Sequence, residues 1–113
     1  MSTLYVDIDD TLVTWKDPLE GRLAHEWEVN LNVVQMIQWW NENAIGPVVI
    51  WSSGGQSYAR MWADRLLCGS HWSACESKFN LLPQPGDVCL DDMPFDSFAR
   101  QTIHPKELAG IKP

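Results

Sequence analysis

The sequence predicts an α/β protein with a central, mainly parallel sheet and flanking helices. Short apolar runs, typical of buried strands, alternate along the chain with segments whose apolar residues recur at helical spacing. The runs at 4–6, 48–51 and 88–90 are each followed directly by polar or acidic residues. Because ligands of open parallel sheets bind beyond the carboxyl ends of the strands, the same runs also predict where a site would lie.

The first half of the chain is expected to hold a strand, a flap and a helix. Residues 3–8 form the predicted first strand. Residues 10–29 are mixed and polar, with proline and glycine as breakers, and predict a flap or a short hairpin. Residues 30–44 have apolar side chains at helical spacing and predict a helix that Asn30 or Asn32 caps.

The second half repeats the alternation of strand and helix. Residues 48–51 predict a strand buried on both faces, 56–68 predict the next helix, and 88–90 predict another buried strand. Weaker patterns predict a strand within 72–75, a helical turn within 95–100 and a last short strand near 102–103.

Composition restricts the class of protein. The 113 residues, 45% hydrophobic and 20% charged, predict one soluble globular domain over residues 1–113. Since no apolar stretch is long enough for a membrane span and no signal-peptide pattern begins the chain, we expect a cytoplasmic protein without a membrane partner. The net charge of −7 makes a nucleic-acid partner unfavourable. The three cysteines and three histidines lack ligand spacing, so we expect structural roles for them.

Acidic and hydroxyl side chains follow the three predicted strands. Asp7 and Asp9 are two residues apart, so on a continuing strand both would point to one face. Two adjacent carboxylates repel unless a cation or a shared proton offsets their charge, and Mg²⁺ is the cation that suits such hard oxygen ligands. Ser52 follows the second run, and Asp91 and Asp92 follow the third. If the strands are parallel neighbours, all these groups converge on one crevice.

This set of motifs resembles that of the haloacid dehalogenase superfamily of aspartate-nucleophile phosphohydrolases. Residues 7–11 look like the first motif, DxDxT after an apolar strand, and 48–52 like the second, a strand ending in Ser or Thr. Lys78 looks like the basic third motif, and residues 90–92 like the fourth, an acidic pair after a strand. The resemblance covers roughly residues 3–96 and implies a Rossmann-like three-layer fold.

The resemblance implies a Mg²⁺-dependent phosphomonoester hydrolase that works through an aspartyl-phosphate intermediate. Asp7 would be the nucleophile. Asp9 would protonate the leaving oxygen and then deprotonate the attacking water, while its backbone carbonyl binds Mg²⁺. Asp91 would complete the metal shell with Asp92 as a further candidate, so the predicted metal ligands are Asp7, Asp9, Asp91 and Asp92.

The phosphate would be held by a hydroxyl, by backbone N–H groups and by a cation. Either Ser52 or Ser53 could be the hydroxyl donor, and the N–H groups of Ser53 and Gly54 precede the next helix. Lys78 would supply positive charge near the nucleophile and the phosphate. Ser52 could otherwise cap the helix, and Lys78 could otherwise be a solvated surface lysine. Thr11 is expected to hold the turn by bonding to the backbone.

The gaps between the motifs are too short for a cap domain. The first holds about twenty residues, whereas domains rarely fall below about 50. The resemblance is therefore to the members that lack a cap. An open crevice suits a large phosphorylated substrate, such as a protein or a polynucleotide end, although a small phosphorylated molecule fits it as well. Alternatively, a second subunit of a homo-oligomer closes the site.

Two other functions stay open at this point. One is a non-catalytic module that binds Mg²⁺ and phosphate on the same fold. The pair Asp7 and Asp9 argues against it, because a pure binder needs no acid or base at position 9. The other is a polynucleotide-end phosphatase, which the charge of −7 disfavours although Arg60, Arg65 and Arg100 could form local basic patches.

Overall fold

A computed structural model of the protein describes residues 2–15, 27–67, 72–78, 84, 86–91 and 101–103. Its elements alternate between strands and helices, as the sequence predicts. In chain order they are β1 (Leu4–Asp7), β2 (Val13–Trp15), β3 (Trp27–Val29), α1 (Leu31–Glu42), β4 (Val48–Ser52), α2 (Gln56–Leu66), β5 (Ala74–Ser77), β6 (Val88–Leu90) and β7 (Gln101–Ile103).

The sheet has β1 at its centre. Its strand order is β5-β4-β1-β6-β7, and each neighbouring pair is parallel. Leu4 lies opposite Val48 on one side and Val88 on the other, while Asp7 lies opposite Trp51. This register aligns the carboxyl ends of β1, β4 and β6 at one edge of the sheet. The predicted α/β class with a mainly parallel sheet is confirmed.

Apolar side chains alternate along the strands between the two faces of the sheet and form a separate cluster on each face. One cluster contains Leu4 and Val6 together with the buried side chains of both helices, such as Ile37 of α1 and Trp62 of α2. The other face carries a smaller cluster of Tyr5, Val49, Trp51 and Cys89. Since both described helices belong to the first cluster, the described residues show a sheet with helices on one face. Within the described residues, no helix covers the other face, where the predicted three-layer fold has its second helical layer.

The two helices begin as the sequence predicts and end earlier. Asn30 caps α1, and its side chain accepts a hydrogen bond from the Asn32 backbone N–H at 3.1 Å. The predicted helix 30–44 ends at Glu42, because Ala44 turns into the left-handed region with φ 49°. The predicted helix 56–68 ends at Leu66, because Leu67 is extended.

A glycine between α1 and β4 permits a close crossing of two backbone segments. A Cβ built on Gly46 would lie 1.9 Å from the carbonyl oxygen of Ser2. Only glycine fits there, since an added methyl group would push the start of β1 away from β4. This crossing brings the chain before β1 next to the chain before β4.

The predicted flap at 10–29 is an antiparallel hairpin in the part that the structure describes. Val13 of β2 lies opposite Val29 of β3. Trp27 packs edge-on against Trp62 of α2, with ring centroids 4.8 Å apart, and Arg65 lies 4.9 Å over the Trp27 ring. The hairpin is therefore anchored to α2.

The weaker strand predictions are confirmed with shifted bounds. The strand expected within 72–75 is β5, which starts at Ala74, and the last strand expected near 102–103 is β7. The helical turn expected at 95–100 lies outside the described residues. Neither α1 nor α2 is long and apolar enough to cross a membrane.

Candidate functional site

The aligned strand ends bring four of the predicted site residues to one edge of the sheet. Asp7 is the last residue of β1 and Ser52 the last of β4. Lys78 follows β5, and its backbone N–H donates to the Ser52 carbonyl at 3.0 Å. Asp91 follows β6, and its backbone N–H donates to the carbonyl of Ile103 at the end of β7. The convergence expected from the sequence is therefore present for Asp7, Ser52, Lys78 and Asp91.

Lys78 bridges the two carboxylates. Its Nζ lies 2.9 Å from Asp7 Oδ1 and 2.7 Å from Asp91 Oδ2. The exposed fraction of the side chain is 9% for Lys78, 8% for Asp7 and 2% for Asp91. Because Lys78 is buried, the alternative that it is a solvated surface lysine is wrong. Three charged side chains, two of them alike in sign, are thus buried together at the strand ends.

The burial of Asp7 changes its acidity. Removal from water raises the pKa of the Asp7 carboxyl from 3.8 to about 7, against the opposing effect of the hydrogen bond from Lys78. The negative charge of Asp91 adds to the rise, and Lys78 and Thr11 oppose it. A cation placed beside Asp7 would restore the ionised form that a nucleophile needs.

Lys78 remains positively charged in this setting. Burial alone would lower the pKa of its ammonium, but the hydrogen bonds and charges of Asp91 and Asp7 outweigh it and leave the pKa raised. Its Nζ also lies 5.7 Å from the centroid of the Trp51 ring, within reach of a cation–π attraction. Lys78 therefore supplies a permanent positive charge next to Asp7.

A turn after β1 places Asp7 and Asp9 differently. The strand ends at Asp7, one residue before the predicted end, and the Val13 N–H donates back to the Ile8 carbonyl at 2.9 Å. Asp10 takes the left-handed conformation with φ 62°, which aspartate tolerates better than most residues. Asp9 therefore stands in the turn, so the condition of a continuing strand, under which Asp7 and Asp9 would share one face, is not met.

Thr11 contacts the candidate nucleophile directly. Its side chain is fully buried, and Oγ1 donates to Asp7 Oδ2 at 3.1 Å. We expected a bond to the backbone of the turn. The observed bond orients the Asp7 carboxylate, whose other oxygen faces Lys78.

Asp9 has a partner that sequence reasoning missed. The hydroxyl of Tyr58, in the first turn of α2, donates to Asp9 Oδ1 at 2.7 Å. From the sequence, Tyr58 is one of the inward apolar positions of this helix. The one available signal was chemical: a tyrosine on an inward face usually finds a partner for its hydroxyl.

The structure separates the two candidate hydroxyl donors. Ser52 is buried at 2% exposure beside the strand ends, whereas Ser53 is exposed. The Ser52 Oγ accepts the Gly54 N–H at 3.0 Å, which leaves its own proton to be directed at a phosphate oxygen. Gly54 was expected to offer that N–H to an anion. In this structure the N–H points to Ser52 instead, and α2 begins only at Gln56.

The carboxylates of Asp7 and Asp91 are donors of the type that Mg²⁺ takes, since this ion commonly binds one or two protein carboxylates. In this structure both carboxylates contact Lys78 Nζ. Within the described residues, no three His, Cys, Asp or Glu side chains form a group that could hold a metal ion. The carboxylate of Asp9 is directed at Tyr58, and Asp92 lies outside the described residues.

A cavity of about 640 Å³ opens elsewhere, between α2 and β5. Arg60 lies over the Trp72 ring there, 5.0 Å from its centroid. The residues that line this cavity include none of the predicted site residues. The strand-end cluster, formed by Asp7, Ser52, Lys78 and Asp91, is therefore separate from this cavity.

Comparison with known proteins gives no relative. No family model, curated protein or solved structure matches the chain. The site is therefore interpreted from its own residues and geometry.

Proposed function

We propose that this protein is a Mg²⁺-dependent phosphomonoester hydrolase of the haloacid dehalogenase type, acting through an aspartyl-phosphate. We further propose that it has a Rossmann-like three-layer core and no cap domain. The observation that carries the proposal is the buried bridge of Lys78 between Asp7 and Asp91, beside Ser52, at the carboxyl ends of parallel strands.

The energetics of this cluster favour a functional origin. Two carboxylates and one ammonium are withdrawn from water, and such buried charge is often less stabilising than apolar packing of the same volume. The cluster also sits where the sheet leaves an open edge for ligands, and it includes a carboxyl whose pKa is raised to about 7. Its net negative charge suits a divalent cation, and its lysine suits a phosphate.

In the first step, a carboxylate oxygen of Asp7 attacks phosphorus. The new bond joins this oxygen to phosphorus, while the bond from phosphorus to the ester oxygen breaks. Asp9, initially protonated, gives its proton to the leaving oxygen, which departs as an alcohol. Thr11 and Lys78 hold the Asp7 carboxylate in place through its two oxygens.

In the second step, a water molecule attacks the phosphorus of the aspartyl-phosphate. Asp9, now a carboxylate, accepts a proton from the water, and the bond between phosphorus and Asp7 breaks. Inorganic phosphate leaves, Asp7 returns to a carboxylate, and Asp9 is again protonated. Lys78 and the Ser52 hydroxyl would donate to phosphate oxygens in both steps.

Mg²⁺, when bound, would neutralise phosphate charge and so favour nucleophilic attack by an anion. Asp7 and Asp91 would hold it through their carboxylates and Asp9 through its backbone carbonyl. Asp92 is a further proposed ligand.

Arg60 and Arg65 give no support to a polynucleotide end as the substrate, and Arg100 lies outside the described residues. Arg60 forms an exposed ion pair with Asp64 at 3.1 Å, and Arg65 lies over the rings of Trp27 and Trp62. These arginines are engaged within the protein, so they add little to a phosphate-binding track.

The test is phosphate release from 4-nitrophenyl phosphate. We expect release with Mg²⁺, its loss with EDTA, and a fall of more than about a thousandfold in kcat for Asp7→Asn. Asp64→Asn, which neutralises an exposed carboxylate outside the site, is the matched control and should keep full activity. Mg²⁺ binding without turnover would instead identify a non-catalytic module. Equal turnover by Asp7→Asn would overturn the assigned nucleophile.

A further inference from the structure

We propose that Tyr58 is a positioning residue that holds Asp9 in place as the general acid. This inference rests on the proposed function, because it assigns a role to Tyr58 in the same reaction. Tyr58 touches neither the reacting phosphorus nor the carboxylates of Asp7 and Asp91 in the scheme above, and its partner Asp9 is proposed to bind Mg²⁺ through its backbone carbonyl and not through its side chain. It acts through Asp9.

The contact between Tyr58 and Asp9 is short and joins distant parts of the chain. The Tyr58 hydroxyl lies 2.7 Å from Asp9 Oδ1, and the two residues are 49 positions apart. A tyrosine hydroxyl can donate to a carboxyl oxygen whether the carboxyl is protonated or ionised. Such a bond fixes one oxygen of Asp9 and thereby orients the other.

Asp9 needs such a partner because of where it stands. It lies in the turn after β1, next to the left-handed Asp10, and an isolated bridge pairs it with Val13. Side chains on turns are less precisely held than those on strands or helices. A general acid displaced by about 1 Å loses much of its effect, so its orientation must come from a rigid neighbour.

Tyr58 is itself held from two sides. A Cβ built on Gly54 would lie 3.2 Å from the Tyr58 ring, so the ring packs closely against the turn that follows β4. On the other side, the Trp62 ring lies 6.4 Å away in an edge-to-face arrangement. Trp62 in turn packs on Trp27 of the hairpin. The hydroxyl therefore projects from a fixed ring on a helix.

A role in orienting the general acid has a specific kinetic signature. An alkoxide leaving group requires a proton as the bond to phosphorus breaks, whereas 4-nitrophenolate is stable as an anion and requires little help. Loss of the Tyr58 hydroxyl should therefore impair alkyl phosphates far more than 4-nitrophenyl phosphate. A general loss of structure would impair both substrates equally.

The experiment compares Tyr58→Phe with wild type on 4-nitrophenyl phosphate and on glycerol 2-phosphate, with Mg²⁺ in excess. Tyr5→Phe is the matched control, because it removes the same hydroxyl from a buried tyrosine on the opposite face of the sheet from α2. We expect Tyr58→Phe to lower kcat/KM, which reports the first step, by about tenfold or more on glycerol 2-phosphate and by less than about twofold on 4-nitrophenyl phosphate. Tyr5→Phe should leave the ratio of the two rates unchanged.

The double variant with Asp9→Asn separates positioning from other effects. Once Asp9 can no longer donate its proton, removal of the Tyr58 hydroxyl should have no further effect on kcat/KM for glycerol 2-phosphate. Equal losses on both substrates in Tyr58→Phe, or no loss on either, would overturn the role of Tyr58 while leaving the phosphatase activity established. If wild type hydrolyses neither substrate, the proposed function fails and this role fails with it.

Discussion

Replacement of Lys78 by methionine is the perturbation that bears most directly on the strand-end cluster. Methionine retains most of the volume of the side chain and removes the charge. In Lys78→Met, Asp7 and Asp91 would lie buried side by side without the ammonium that now contacts both at 2.9 and 2.7 Å. The loss of one partner from a buried ion pair typically costs about 3–5 kcal/mol, because the remaining charge is left uncompensated.

The expected change in thermal stability follows from this free energy. For a chain of 113 residues, about 1 kcal/mol corresponds to about 4 °C in Tm, so the substitution should lower Tm by about 12–20 °C without metal. Part of the cost can be avoided by protonation, because the pKa of Asp7 is already raised to about 7 and would rise further. The loss should therefore be smaller below that pH than above it.

The assay is thermal unfolding followed by circular dichroism, with and without Mg²⁺. Since Mg²⁺ can replace the missing positive charge, it should raise the Tm of Lys78→Met more than that of wild type. Arg60→Met is the matched control. It breaks an exposed pair with Asp64, whose side chains are 60% and 57% exposed, and should change the free energy of unfolding by less than about 1 kcal/mol. A Tm for Lys78→Met within a few degrees of wild type would refute the reasoning.

Three further predictions concern the phosphate, the metal and the fold. Ser52→Ala should lower kcat/KM for 4-nitrophenyl phosphate about tenfold or more and Ser53→Ala less than about twofold, and the reverse order would reassign the donor. Because Mg²⁺ requires ionised Asp7, whose pKa is raised to about 7, calorimetry should show an apparent affinity that rises with pH up to about 7 and then levels off. A flat profile would contradict this coupling. Gly46→Ala places a Cβ 1.9 Å from the Ser2 carbonyl and should cost about 1–3 kcal/mol in urea unfolding, whereas unchanged stability would show that the crossing can relax.

Sequence reasoning succeeded where a local pattern determines the structure. The apolar runs before Asp7, Ser52 and Asp91 identify buried strands, and the crossover connections make these strands parallel neighbours. Parallel neighbours end at one edge of a sheet. The convergence of these three residues could therefore be predicted without any knowledge of distances.

The features that were missed depend on tertiary contacts or on unusual backbone conformations. Nothing near Asp9 in the sequence indicates Tyr58, which the β4–α2 turn carries to it. Asp10 after β1 and Ala44 after α1 adopt left-handed conformations. Neither residue is a glycine, so the residue type does not predict these conformations. Thr11 could bond equally well to its own turn or to Asp7, and only the buried packing decides between them.

The most direct test of the central claim is the identification of the phosphorylated residue. Wild type incubated with 4-nitrophenyl phosphate and Mg²⁺ is quenched in acid, digested and analysed by mass spectrometry. The proposed chemistry predicts the added mass of one phosphoryl group on Asp7, absent with EDTA and absent in Asp7→Asn. Turnover with no phosphorylated Asp7, or with the phosphoryl group on another residue, would contradict the account.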